Sequence, residues 1–290
     1  MSNRLVLALK GSLASLVLVG NVLFFVTLMM PVALLKLLLP FTAARRVADR
    51  GMVALATCWV SVNNAWIAAV GRTRWDVQGL DGLNPRGWYL VSVNHQSWVD
   101  ILVLQKVFQH RIPFLKFFLK QELIWVPVIG LAWWALDFPF MRRKAGSSAT
   151  DLATTRRACE KFKLIPTSVI NFVEGTRFTR AKHRRQGSPY ANLLKPKVGG
   201  MAVALATLGD EFDALLDVTI VYPQGTPTFW DLLSGQVKEV AVRVQAREIP
   251  PDLIRTDYQS DPQFRAQMQA WVNGMWLEKD RLIEELKRSA

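Results

Sequence analysis

The stretch Trp88-Tyr-Leu-Val-Ser-Val-Asn-His-Gln-Ser-Trp-Val-Asp100 sets how the rest of the chain is read. Trp88 to Val93 is an apolar run bounded by Gly87 and Asn94, the length and composition of a buried strand. Val99 to Gln109 then carries apolar residues at helical spacing. The turn between them holds His95, and Asp100 lies five residues on, where the helix is under way. Five residues of ideal helix do not put two side chains on one face. The pair meets only if His95 lies outside the helix, on the turn leaving the strand. There the carboxylate would hold one imidazole nitrogen and leave the other to take a proton. The plainer alternative is a structural histidine capped by its neighbours.

Outward from this unit, strands and helices alternate. Phe138 to Met141 reads as a short strand, and Ser147 to Lys163 as an amphipathic helix capped by Ser147 or Ser148. Ser168 to Val173 is a strand, Gly199 to Leu208 a helix and Leu216 to Tyr222 a strand. Val237 to Gln245 alternates through Val240, Val242 and Val244, as a half-exposed strand does, and 261–288 reads as a polar closing helix. The expected fold class is α/β: a mixed sheet flanked by helices over residues 75–290. No internal repeat or low-complexity tract interrupts it.

Residues 1–74 are of another kind. Gly11 to Leu35 is 25 residues without a charge, where roughly 20 span a bilayer. Gly51 to Gly71 is a second uncharged run, with Asn63 and Asn64 at its middle between Trp59 and Trp66. Arg45, Arg46 and Arg50 between the runs set a basic connection against the positive-inside rule for a plain two-span hairpin. Either the first run alone spans, or the two form a monotopic anchor in one leaflet; the second is the expectation. The first run is too long for a signal peptide, so an uncleaved two-helix anchor is expected. The whole chain is 51% hydrophobic with a net charge of +13, a pairing that points to a membrane surface. Such a chain is not disordered. Cys58 and Cys159 are too few and too far apart for a disulfide framework or a zinc ribbon.

Between Phe114 and Met141 the stretch Leu123 to Leu136 is again uncharged but too short to span. It reads either as a buried core helix or as part of an interfacial belt, since eight of the 11 tryptophans fall between Trp59 and Trp134.

Two further clusters carry chemistry. Phe172-Val-Glu-Gly-Thr-Arg177 leaves a strand through a Gly-Thr turn that exposes backbone N–H groups. Arg177 offers a fork for a phosphate, and Glu174 a carboxylate to fix that guanidinium or another; the alternative is an ordinary surface ion pair. Phe140-Met-Arg-Arg143 with Lys144 places a second guanidinium after a short strand. Residues 142–197 hold 14 Lys+Arg against three acids, and Arg180, Lys182, Arg184 and Arg185 read as a solvated loop or as a seat for anionic lipid heads or a phosphorylated acyl donor.

In order, Asn94-His-x4-Asp100, Phe140-x-x-Arg143 and Phe172-x-Glu-Gly-Thr-Arg177 resemble the motifs of the glycerolipid acyltransferases, in particular the 1-acylglycerol-3-phosphate (lysophosphatidic acid) type. Lys120-Gln-Glu-Leu123 with Pro127 and Gly130, and Asp217-Val-Thr-Ile-Val-Tyr-Pro223, resemble the family's connecting and fourth blocks. The resemblance covers about residues 88–223. Asp137 stands where the family often has glycine, and the Arg180 to Arg185 run looks more like a bacterial branch near the lysocardiolipin acyltransferases.

The resemblance implies direct transfer of an acyl chain from acyl-CoA or acyl carrier protein to a lysophospholipid hydroxyl, with no metal or nucleotide cofactor. It makes His95 and Asp100 catalytic. Arg143 and Arg177, with Lys120 as a third, would hold the acceptor phosphate; Glu174 would fix the arginines, and N–H groups near Gly175 and Thr176 would meet the oxyanion. It places the enzyme in the inner membrane of the cell, its site facing the cytoplasm. A catalytically idle binder of anionic lipids is the rival. A nucleic-acid module, suggested by the pI of about 10.1, lacks any recognisable binding motif.

Overall fold

The computed structural model describes residues 3–39, 41–141, 160–254, 258 and 260–289. Two long helices open the chain, α1 (Asn3–Leu38) and α2 (Thr42–Val70). Both are long and apolar enough to cross a membrane by length and composition. They lie antiparallel: Lys36 near the end of α1 meets Asp49 near the start of α2 at 2.5 Å, while Asn21 meets Asn63 at 2.9 Å. Asn63, which interrupts the second uncharged run, thus has a partner; its amide oxygen also accepts the indole N–H of Trp66. Arg45, Arg46 and Arg50 belong to the first turns of α2, so these charges lie within the helix and not between the two.

The remaining elements form the expected mixed sheet with helices on both faces. Six strands run in the order β1 (Arg74–Gln78), β8 (Glu239–Arg247), β7 (Ala214–Val221), β2 (Tyr89–Val93), β6 (Ser168–Phe172), β3 (Leu115–Phe117). All neighbours pair in parallel except β7 and β8. A separate ribbon pairs β4 (Leu119–Lys120) with β5 (Phe140–Met141). On one face, Val91, Val93, Ile170, Val218 and Val242 pack with α1, α2, α3 (Val99–Phe108) and α4 (Ile129–Ala135). On the other, Leu90, Val169, Leu215 and Ala241 meet α6 (Gly199–Leu208) and the C-terminal α8 (Pro262–Arg288). Two short helices, α5 (Arg180–Gln186) and α7 (Phe229–Leu233), fill connections.

Three expectations need correction. β8 alternates as read, yet it is not half-exposed: β1 and β7 flank it, and its first four residues are buried. The polar positions are tolerated by pairing, Glu239 with Arg74 and Arg243 with Asp76 at 2.6 Å. The closing helix is not polar on every side, for Phe264, Met268, Val272, Met275 and Trp276 seat it on the sheet. Arg180 to Arg185 is a capped helix rather than a loop: the Thr179 hydroxyl accepts the Lys182 N–H, and Gly187 ends it at φ +54.

The middle stretch resolves into a 3-10 turn (Gln121–Trp125) and α4. Ala132 and Ala135 face inward, while Trp125 is 84% exposed and Leu131 and Trp134 also face out. It is therefore not the fully buried core helix. Asp137, after α4, adopts φ +56, a conformation that favours glycine. Its carboxylate is paired with Lys36, which ties the N-terminal hairpin to the sheet domain.

Candidate active site

Register assembles the site. Val93 of β2 stands opposite Phe172 of β6 and opposite Val218 of β7. Two residues beyond each partner lie His95, Glu174 and Ile220, so three strand ends converge at one level. This is the C-terminal edge of parallel strands, where open α/β sheets place their ligand sites. Asn94 bolts the first end to the third: its amide donates to the Ile220 carbonyl and accepts the Ile220 N–H, both at 2.9 Å.

The chain then leaves β2 in a turn built around one carboxylate. Asp100, in the first turn of α3, is fully buried. Its Oδ2 accepts the Gln96 N–H at 2.6 Å and the Ser97 N–H at 2.9 Å, and lies 2.8 Å from His95 Nδ1. The Ser97 hydroxyl accepts the Val99 N–H in a local turn just before the helix. An oxygen that already accepts two N–H groups is an acceptor toward the ring as well, so His95 Nδ1 carries the proton. In the neutral ring this tautomer leaves Nε2 as the acceptor. The imidazole stacks on Phe172 at 4.0 Å and keeps 12% of its side chain exposed. Phe117 and Phe138 continue the aromatic row behind Phe172.

Glu174 acts on the same histidine from the other strand. Its two carboxylate oxygens accept the His95 backbone N–H at 2.8 Å and the Leu194 N–H at 3.0 Å. The expectation that Glu174 fixes an arginine is not met: among the described residues, backbone donors take both oxygens. Burial pushes its carboxyl up to about 8 against the pull of those two donors. Gly175 turns at φ +68 and donates its N–H to the Phe172 carbonyl, so that group closes the turn instead of pointing outward as an oxyanion donor.

The predicted cations come partly together. Arg177 is exposed, with its guanidinium 4.7 Å over the Trp98 ring, one residue before α3. Lys120 is exposed on β4. Arg143, with the Ser147 to Lys163 helix up to residue 159, lies outside the described residues. Lys182 was legible only as part of a basic run, yet it reaches back: its ammonium donates to the Thr176 hydroxyl at 2.8 Å and to the Arg177 carbonyl at 2.9 Å. Burial, then the charges of Arg177, Arg185 and Lys120, hold its pKa below the usual lysine range. Tyr222 was visible in a sequence block but without a role; its hydroxyl donates to Asp100 Oδ1 at 2.6 Å. A tyrosine closing a strand was the one available signal.

A family model described as Acyltransferase matches residues 74–224, a little over half of the chain. The chain is 28% identical over 281 residues to lysocardiolipin acyltransferase 1 of Danio rerio, covering 92% of this chain and 68% of that one. It is 28% identical over 212 residues to human 1-acyl-sn-glycerol-3-phosphate acyltransferase delta, covering 69% of this chain but only 53% of the relative. The crystal structure of the 1-acyl-sn-glycerophosphate acyltransferase PlsC from Thermotoga maritima shares the fold, with a TM-score of 0.55 at 19% identity over 97% of this chain and 98% of that one. Matched along the segment that carries the three strand ends and their turns, the chain belongs to the acyltransferase family.

Proposed function

We propose that this protein is a membrane-anchored enzyme that moves an acyl chain from acyl-CoA or an acyl carrier protein thioester to the free hydroxyl of a lysophospholipid, lysophosphatidic acid giving phosphatidic acid. The observation that carries the reading is the His95 ring, its Nδ1 held by buried Asp100 and its side chain still partly exposed. In this reading Nε2 removes the acceptor hydroxyl's proton as the oxygen attacks the thioester carbonyl. The tetrahedral adduct then collapses, the carbon–sulfur bond breaks, and His95 returns the proton to the thiolate. Ordinary Ser and Cys nucleophiles are unnecessary because the substrate supplies the attacking oxygen, and the step draws on no metal or nucleotide cofactor.

Arg177, Lys120 and Arg143 are the proposed ligands of the acceptor phosphate, with Thr176 and Gly175 shaping the turn beside them. Residues 1–74 form the proposed anchor and 75–290 the catalytic domain, held to the inner membrane with the site toward the cytoplasm, where acyl donors are made. The exposed Trp125 and Trp134 suit the headgroup region.

A second acceptor has support of its own, since the similarity to a lysocardiolipin acyltransferase runs over 92% of this chain. Membrane-reconstituted wild type and His95→Ala, given lysophosphatidic acid, lysocardiolipin and other lysophospholipids with either donor, test both. A product that needs His95 names the acceptor and donor together; His95→Ala is expected to lose about 100- to 10,000-fold in rate. Full activity of folded His95→Ala would end the general-base assignment. No transfer by folded, membrane-bound wild type would favour an idle lipid binder.

A further inference from the structure

We infer that Tyr222 is a positioning residue for the dyad: its hydroxyl takes the second oxygen of Asp100 and so fixes how the carboxylate is presented to His95. The inference rests on the acyl-transfer reading above. The two oxygens of Asp100 are unequally loaded. Oδ2 serves the His95 ring and two backbone N–H groups, whereas Oδ1 receives the Tyr222 hydroxyl at 2.6 Å. A buried carboxylate with one oxygen unbonded is unfavourable and free to turn about its terminal torsion. The phenol removes that freedom.

Tyr222 is itself tightly held. It follows β7 directly and precedes Pro223, which restricts it to extended backbone. Two residues earlier, Ile220 is locked to Asn94 through both its N–H and its carbonyl, and Gln96 adds a second bond to that carbonyl at 3.1 Å. The Ser97 hydroxyl donates to Pro227 at 2.7 Å just beyond. The wall carrying the phenol is thus bonded repeatedly to the turn carrying His95, and the phenol is buried.

In contact with this carboxylate are His95 and Tyr222; Glu174, from the neighbouring strand end, feels its charge, and Lys279 of α8 acts in turn on Glu174. A donor on Oδ1 draws negative charge away from Oδ2. Removing it leaves more charge facing the ring, favours the protonated imidazole, and moves the acid limb of kcat/KM to higher pH.

The experiment compares wild type, Tyr222→Phe, Asp100→Asn and the double variant in the transfer assay across pH. For Tyr222→Phe, kcat is expected to fall about tenfold or more with KM changed by roughly twofold at most, and the acid limb to rise by about half a pH unit. In the Asp100→Asn background the same substitution is expected to have little further effect, since its partner is already altered. An unchanged kcat and pH profile overturns the inference. So does an equal loss in both backgrounds with an unmoved limb, which is the mark of a merely structural phenol. If Tyr222→Phe does not fold, 3-fluorotyrosine at position 222 keeps the shape but strengthens the donor; the limb should then move down, and an unmoved limb overturns the inference. Failure of the underlying reading shows separately, as no His95-dependent transfer in the wild type.

Discussion

At the ends of two adjacent parallel strands the chain turns in two different ways. After β2, residues 94–98 form a turn organised by side chains: Asn94, Ser97 and Asp100 each hold a named partner. After β6, residues 173–177 form a tighter turn closed by backbone, with Gly175 at φ +68 and one buried carboxylate reaching across. Both turns present a carboxylate to His95. Asp100 takes the ring, whereas Glu174 takes the main chain. The first turn therefore sets the chemistry of one nitrogen, and the second sets where the histidine stands. Changes in the first should read out in kcat, changes in the second in stability.

Asp100→Asn should show the largest effect. Asparagine offers one oxygen and one NH2 group where the carboxylate offers two acceptors to four donors. The amide oxygen would stay with the two backbone N–H groups and the ring, so the loss falls on the negative charge that would stabilise the imidazolium formed when Nε2 takes a proton. Steady-state kinetics should show kcat reduced about 100- to 10,000-fold with acceptor KM little changed. A fall in stability with kcat preserved would break the division between the turns.

Glu174→Gln probes the second turn and carries a pH signature. One backbone N–H loses its acceptor, at a cost of about 1–3 kcal/mol. Burial lifts the folded carboxyl from its ordinary 4.5 to about 8, so the folded state holds the proton more tightly than the unfolded chain does. That contribution is fully present below about 4.5 and is lost as pH rises through about 8. Glutamine does not titrate. Thermal melts should therefore show the wild type's Tm advantage shrinking from pH 5 to pH 8 (set points spanning roughly that window). A gap that widened instead would mean that the two N–H donors keep Glu174 ionised. Gly175→Ala should be milder, costing about 1–2 kcal/mol because the new Cβ meets a left-handed backbone, with kcat retained.

The two turns also differ in how far the sequence discloses them. The His95–Asp100 pair was legible because both residues sit within one strand–turn–helix unit, and helix geometry alone excluded a shared face. Glu174 was visible as a carboxylate but not as a brace for backbone, since its partners are His95 and Leu194, 79 and 20 positions away. Tyr222 lies 122 positions from Asp100 and meets it only because β7 is inserted beside β2, an order no local pattern reveals. β8 misled for a related reason: alternation reports which residues share a face, not whether that face is covered. Lys279 was hidden inside a polar-looking helix, although it is fully buried and bonded to Asp217 at 2.7 Å and to the Val218 carbonyl at 2.5 Å. Asp137 looked like a departure from a glycine pattern; its positive φ is a conformation that favours glycine, and its carboxylate pairs with Lys36 of α1.

Arg177 joins the two turns and gives the smallest but most discriminating effect. It belongs to the second turn by sequence, yet its guanidinium lies over Trp98 in the first. At an exposed site such a contact contributes only about 0.5–1 kcal/mol, so Arg177→Ala should barely lower Tm. If the guanidinium holds the acceptor phosphate equally before and during transfer, acceptor KM should rise about tenfold with kcat unchanged. An equal fall in kcat and kcat/KM would instead mean that this arginine tightens on the acceptor only as the thioester is attacked. The second turn would then share in the chemistry, and the separation between a turn that reacts and a turn that holds would fail at the residue that bridges them.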